Sequence, residues 1–229
     1  PISVPEGIVR FSLKSSAATS VAAASDRGVL VLAGVLGGPA LVTFLKVAGS
    51  AARLNLGFVS SAAAQLYPRI AAAAVARDLA GIRRDALRTT ALLAVLGVGT
   101  VIVMVPLAGP ALTILYGSGY RWLADVTTIF LLASCIRGTG IWAKVLPLAL
   151  GRPGVLLAVM TSDGLLTLSA LLLSSRSAGT PEHTVLVFAW ADVLLAVLRT
   201  ATWLVLLRAF TRPADRPAPG GPGVLEVRS

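Results

Sequence analysis

The sequence is short of most of what chemistry needs. It has one cysteine, Cys135, and one histidine, His183, in 229 residues. A single cysteine excludes an internal disulfide and a thiolate metal cluster. The lone histidine stands beside Glu182 in a polar stretch, without the companions a metal site requires. No glycine-rich phosphate loop followed by Lys-Ser or Lys-Thr occurs, so the chain carries no ATP-driven motor. No Ser/His/Asp arrangement is apparent, and neither enzymatic activity nor a cofactor is expected. Charge is scarce too: Asp, Glu, Lys and Arg make up 13% of the chain, about half the share of an ordinary soluble domain.

Apolar residues fill the space that these absences leave. They make up 56% of the sequence, and mean hydropathy is +0.85. The excess falls in six windows, 15–36, 38–66, 89–109, 122–150, 153–174 and 183–207. Most exceed the roughly 20 residues a helix needs to cross a bilayer. They are rich in Ala, Gly, Ser and Leu and lack the strict alternation of a membrane barrel. The expected fold class is therefore all-α, a polytopic transmembrane bundle of about six spans. A large soluble helical domain is the alternative, but its helices are usually shorter.

The net charge of +10 is a topology signal. With six spans, twelve basic residues fall on one side, among them Arg69, Arg77, Arg83, Arg84 and Arg88, and only Arg121 and Arg176 on the other. The positive-inside rule then places both termini in the cytoplasm. Binding of nucleic acid is not expected. Residues 1–14 read as a cytoplasmic approach and 15–207 as the membrane lobe. Residues 69–88 read as one surface helix, facing lipid headgroups or solvent. The segment 208–229, with four prolines and three glycines, reads as disordered. The chain starts at Pro1 with no signal-peptide pattern ahead of its first window, which suggests a piece of a longer protein.

Six cations lie inside the windows: Arg27, Lys46, Arg53, Arg137, Lys144 and Arg199. Three acids accompany them, Asp26, Asp163 and Asp192, with Asp125 near an end of the fourth window. A charge facing lipid at the bilayer centre costs roughly 2.5–3.5 kcal/mol. Such groups must face one another or water, or snorkel from the span ends. Lys46, Gly49, Ser50, Arg53, Gly57, Ser60 and Ser61 form a polar stripe on the second window. The small residues on it equally suit close helix packing. Ser134, Arg137, Ile141 and Lys144 make a similar face on the fourth window, and Asp192 and Arg199 one on the sixth. Two readings stand side by side. The acids neutralise some of the bases and only hold the bundle together, or the surplus cations border a wet cavity that takes an anion such as pyrophosphate.

Four segments in order resemble a known family: Asp26-Arg27, QLYPRI at 65–70, ILYGSGYRWLAD at 114–125 and LALGRPG at 148–154. Over 11–207 the chain resembles the C-terminal half of a polysaccharide-biosynthesis flippase of the multidrug/oligosaccharidyl-lipid/polysaccharide exporter superfamily. It departs in having Thr43-Phe44 where members often have Tyr after Gly, and in having half their usual span number. The resemblance implies one lobe of a two-lobe transporter of the plasma membrane. Such a lobe would move a lipid-linked oligosaccharide on a polyprenyl pyrophosphate for cell-surface polysaccharide synthesis. It implies substrate-binding roles for Lys46, Arg53, Arg137, Lys144 and Arg199, and ion coupling by Asp26 or Asp192. The implied partners are that anionic lipid, membrane lipids, and a missing N-terminal lobe or second subunit. A drug/cation antiporter of the same fold and a non-transporting half-transporter scaffold are the rivals.

Overall fold

The computed structural model describes residues 6–76 and 78–210, without the side chains of 6–7 and 62–64. Within them the chain forms seven α-helices, α1 (Glu6–Ala48), α2 (Ser50–Val75), α3 (Leu79–Tyr116), α4 (Ala124–Thr139), α5 (Trp142–Ala149), α6 (Pro153–Ala178) and α7 (Pro181–Phe210). One 3-10 turn, 118–123, leads into α4. No strand occurs among the described residues. Five helical stretches are long and apolar enough to cross a bilayer: 8–48, 79–116, 118–149, 153–178 and 181–210. The protein is therefore a helical membrane protein.

The window 38–66 is divided differently from expectation. A straight 43-residue α1 would measure about 65 Å, twice the apolar thickness of a membrane. Gly38 breaks it, with φ 64° and ψ −162°, a conformation open to glycine, and Pro39 follows. The arm after Pro39 then passes almost unbroken into α2. The amide of Gly49 still donates to Leu45 O at 3.0 Å, and that of Arg53 to Gly49 O at 3.1 Å. Arg53, Asn55, Gln65 and Arg69 dilute the apolar residues of α2, which is not among the five stretches.

Three prolines lie inside helices rather than at their ends. Helix α2 runs through Pro68 to Val75, and α3 runs through Pro106 and Pro110 to Tyr116. Each proline forfeits one backbone donor, and a long helix in a membrane bundle absorbs that loss. The Ala-rich run after Pro68 favours continuing. The expected single helix over 69–88 is accordingly two pieces. Its first part completes α2, and its second opens α3, where the Asp78 carboxylate caps the Gly81 amide at 2.8 Å. Helix also begins at Glu6, inside the stretch read as an approach, and α7 extends to Phe210, into the stretch read as a tail. The rest of that tail, 211–229, residues 1–5, and Arg77 lie outside the described residues.

Two apolar clusters hold the bundle. One, near the α2–α3 turn, joins Ile70, Ile82, Trp142, Leu146, Trp203 and Leu207. The other joins Leu41, Leu112, Leu123, Phe130, Leu171 and Phe188. At that second end the aromatic rings meet edge-on, Phe44 with Trp122 at 4.9 Å and Tyr116 with Tyr120 at 6.2 Å. Helix α1 packs chiefly on α6, and α4 on α3, α7 and α2. Gly164 allows the first of these contacts, since a Cβ there would stand 3.0 Å from the Cβ of Ser25 and closer still to its hydroxyl.

Candidate functional site: a charged cavity at mid-depth

Between the two apolar clusters the bundle holds a cavity of about 150 Å³. The order along each helix shows its level. On α6, Leu156 belongs to one cluster, Asp163 lines the cavity, and Leu171 belongs to the other. On α7 the order is Phe188, Arg199, Leu207. Asp163 is ten residues into α6, so it lies about 15 Å from that helix end. That distance is half the thickness of a hydrocarbon layer of roughly 30 Å.

The cavity gathers charge from five elements. Asp26 comes from α1, Arg137 from α4, Lys144 from α5, Asp163 from α6 and Arg199 from α7. Asp192 of α7 stands behind Arg137, buried, and accepts a hydrogen bond from its guanidinium. Arg199 donates to Asp163 at 2.7 Å, and its other terminal nitrogen lies 3.7 Å from the sulfur of Met160. Lys144 and Asp26, both exposed, line the same space and take part in no ion pair among the described residues. At the wall, Nε of Arg137 and Nε1 of Trp203 are buried donors without an acceptor.

A break between α4 and α5 shapes one wall. The chain leaves the helix at Gly140, and the carbonyl of Thr139 is taken up by the hydroxyl of Thr90 on α3 at 3.0 Å. That hydroxyl in turn accepts from Trp142 Nε1 at 2.8 Å. Thr200 donates to Ile136 O from the other side at 3.3 Å. These bonds fix the interruption between Arg137 and Lys144.

No family model, no curated protein and no solved structure matches the chain.

The structure thus brings together five of the seven residues expected to form a site: Asp26, Arg137, Lys144, Asp192 and Arg199. It adds Asp163, whose sequence signal was only its place in an apolar window. Lys46 and Arg53 do not reach the cavity. Both are exposed, and the Arg53 guanidinium donates to the backbone carbonyl of Lys46. The stripe they belong to faces outward, as Gly57, Ser60 and Ser61 do, while the buried side of α2 carries Val59, Leu66 and Ile70. The physical reason is that Asn55, not the stripe, turns inward, donating to Ser134 at 2.8 Å. The surplus of positive charge therefore lies outside. Around the cavity three acids meet three bases, and internal neutralisation accounts for two of the three pairs.

Proposed function

We propose that the chain is one lobe of a membrane transporter, six-span in topology, that translocates a polyprenyl-pyrophosphate-linked oligosaccharide. The observation that carries this reading is Lys144. It is an exposed cation lining a polar cavity, with no carboxylate within ion-pairing distance among the described residues. A charge kept there without a partner is expensive unless a ligand or water meets it. Arg137 and Trp203 add unpartnered donors at the same wall. A pyrophosphate entering the cavity would accept from these groups and compete with Asp163 for Arg199, because a phosphate oxygen and a carboxylate suit the same guanidinium fork.

The cavity is small, about 150 Å³, so this reading places only the headgroup inside it. The sugar would extend toward the side where a second lobe stands. In this reading Gly38 turns the chain between the first two spans. The basic α2–α3 turn is cytoplasmic, as are both termini, and the membrane is the plasma membrane. Substrate contacts fall to Arg137, Lys144 and Arg199, and Lys46 and Arg53 have no part in the cavity. Asp26 is the group left to couple an ion.

One observation favours a second reading, antiport of a cation. Asp26 also lacks an ion pair, and acids equal bases around the cavity. Proteoliposomes separate the two. Translocation of a fluorescent polyprenyl-pyrophosphate sugar is expected, with Lys144→Gln reducing it at least tenfold. Equal translocation in Lys144→Gln and the parent refutes the flippase reading. Proton-driven uptake of a cationic dye that is lost in Asp26→Asn establishes the antiporter instead.

A further inference from the structure

One outward face of the bundle is unlike the others. Helix α3 turns Val98, Ile102 and Val105 outward, and α6 turns Leu165 and Leu173. Between Pro39 and Val75 the outward side instead carries Lys46, Arg53, Gly57, Ser60 and Ser61, all exposed. Leu54 and Phe58 flank it, 69% and 78% exposed. The helical hydrogen bonds continue through Gly49, so the two cations share one side across the join of α1 and α2. Along the chain the face lies between Leu45, in one apolar cluster, and Leu66, in the other. It therefore belongs to the body of the bundle and not to an end.

No acid occurs from 39 to 75, and neither Lys46 nor Arg53 forms an ion pair among the described residues. The Arg53 guanidinium gives one bond to the Lys46 carbonyl, which leaves most of its five donors unused. Helix α2 packs on α4, α5 and α3 through its other side, where Val59, Leu66 and Ile70 are buried. Lipid does not suit the outward side, because acyl chains accept no hydrogen bond and a cation against them is costly. A second copy does not suit it either. Two copies in one orientation, meeting through this face, would set Lys46 and Arg53 against Lys46 and Arg53, with no acid on either side. Charge complementarity asks for carboxylates.

We infer that this face docks a transmembrane helix of another polypeptide, one that carries two carboxylates two turns apart. Lys46 and Arg53 stand about 10 Å apart along the axis, and each takes one carboxylate. Gly57 has nothing within 4 Å of where a Cβ would stand, so the partner backbone approaches closely there. The inference is separate from what the central cavity transports and asks only that the chain lie in a membrane.

Energy transfer in phosphatidylcholine vesicles tests this on the full chain. The donor dye is carried on Ala80→Cys in a Cys135→Ala background. The acceptor is on a synthetic Leu/Ala/Gly transmembrane peptide with two Asp residues seven apart, or with Asn in their place. The Asp peptide is expected to associate about fivefold more tightly than the Asn peptide, as a polar contact between membrane helices allows. Lys46→Gln with Arg53→Gln should erase that preference, and Arg53→Gln alone, which keeps more of the fold's charge, should halve it or more. Gly57→Leu, which keeps both cations and blocks close approach, should weaken association severalfold. Arg83→Gln with Arg84→Gln, away from the face, should change nothing. The inference is overturned if the two peptides bind equally, if Arg53→Gln or Gly57→Leu has no effect, or if the Arg83/Arg84 variant weakens binding as much. Self-association of the chain that depends on Arg53, or displacement of the peptide by phosphatidylglycerol, also overturns it, since each would name a different occupant.

Discussion

At the scale of single residues, the charges divide by whether a carboxylate can reach them. Asp192 is 5% exposed and faces the part-buried Arg137, a pair whose worth lies in not being broken. Replacing Asp192 with Leu leaves an uncompensated guanidinium, at a cost on the order of 3 kcal/mol. Its thermal midpoint in detergent should drop by several degrees, and adding Arg137→Leu should restore most of it. A single variant as stable as the parent would show that the pair contributes nothing. Sequence reading reached these residues because a charge inside an apolar window is conspicuous. It grouped Lys46 and Arg53 with the cavity, which they do not line, for an equally physical reason. Helical spacing shows which residues share a face, but not which way the face looks. Asn55 and Ser134 decide that, and an Asn in a stretch rich in Ser and Gly gives no such sign.

At the scale of elements, the windows of high hydropathy matched the helices well from 89 onward, and less well before. Window 153–174 became α6 with four residues added at its C-terminal end, and 183–207 became α7 with two or three added at each end. Around 38–88 the windows misled. Pro68 sits within α2, while Gly38, Gly49 and Asp78 mark the interruptions. Proline stops a helix only where no neighbouring turn is worth extending past it. The contact of α1 with α6 supplies a prediction at this level. Gly164→Ala brings a methyl against Ser25 and should lower the thermal midpoint, an overpacking cost of about 1–3 kcal/mol. Gly57→Ala, with open space around it, should not. Similar melting of the two variants would mean that the helices part freely at Gly164.

At the scale of the whole molecule, the arrangement is one of apolar ends around a polar middle. Two hydrophobic clusters close the bundle above and below the charged cavity. Hydropathy could announce a membrane protein, but not that the ion pairs would gather at one level. That depends on how α1, α4, α6 and α7 are staggered. The orientation proposed here predicts a labelling pattern. In a Cys135→Ala background, Ser118→Cys should react with an impermeant maleimide on intact cells. Ala80→Cys, at the other end of α3, should react only after permeabilisation. The reverse pattern would invert the topology.

Arg137 and Lys144 stand on opposite sides of the interruption at Gly140, which Thr90 and Trp142 tether to α3. A small swivel at that joint would slide one ammonium past a guanidinium while the carboxylates of α6 and α7 stay put. The field inside the chamber would then follow the posture of α3, the helix whose flank meets the surrounding lipid.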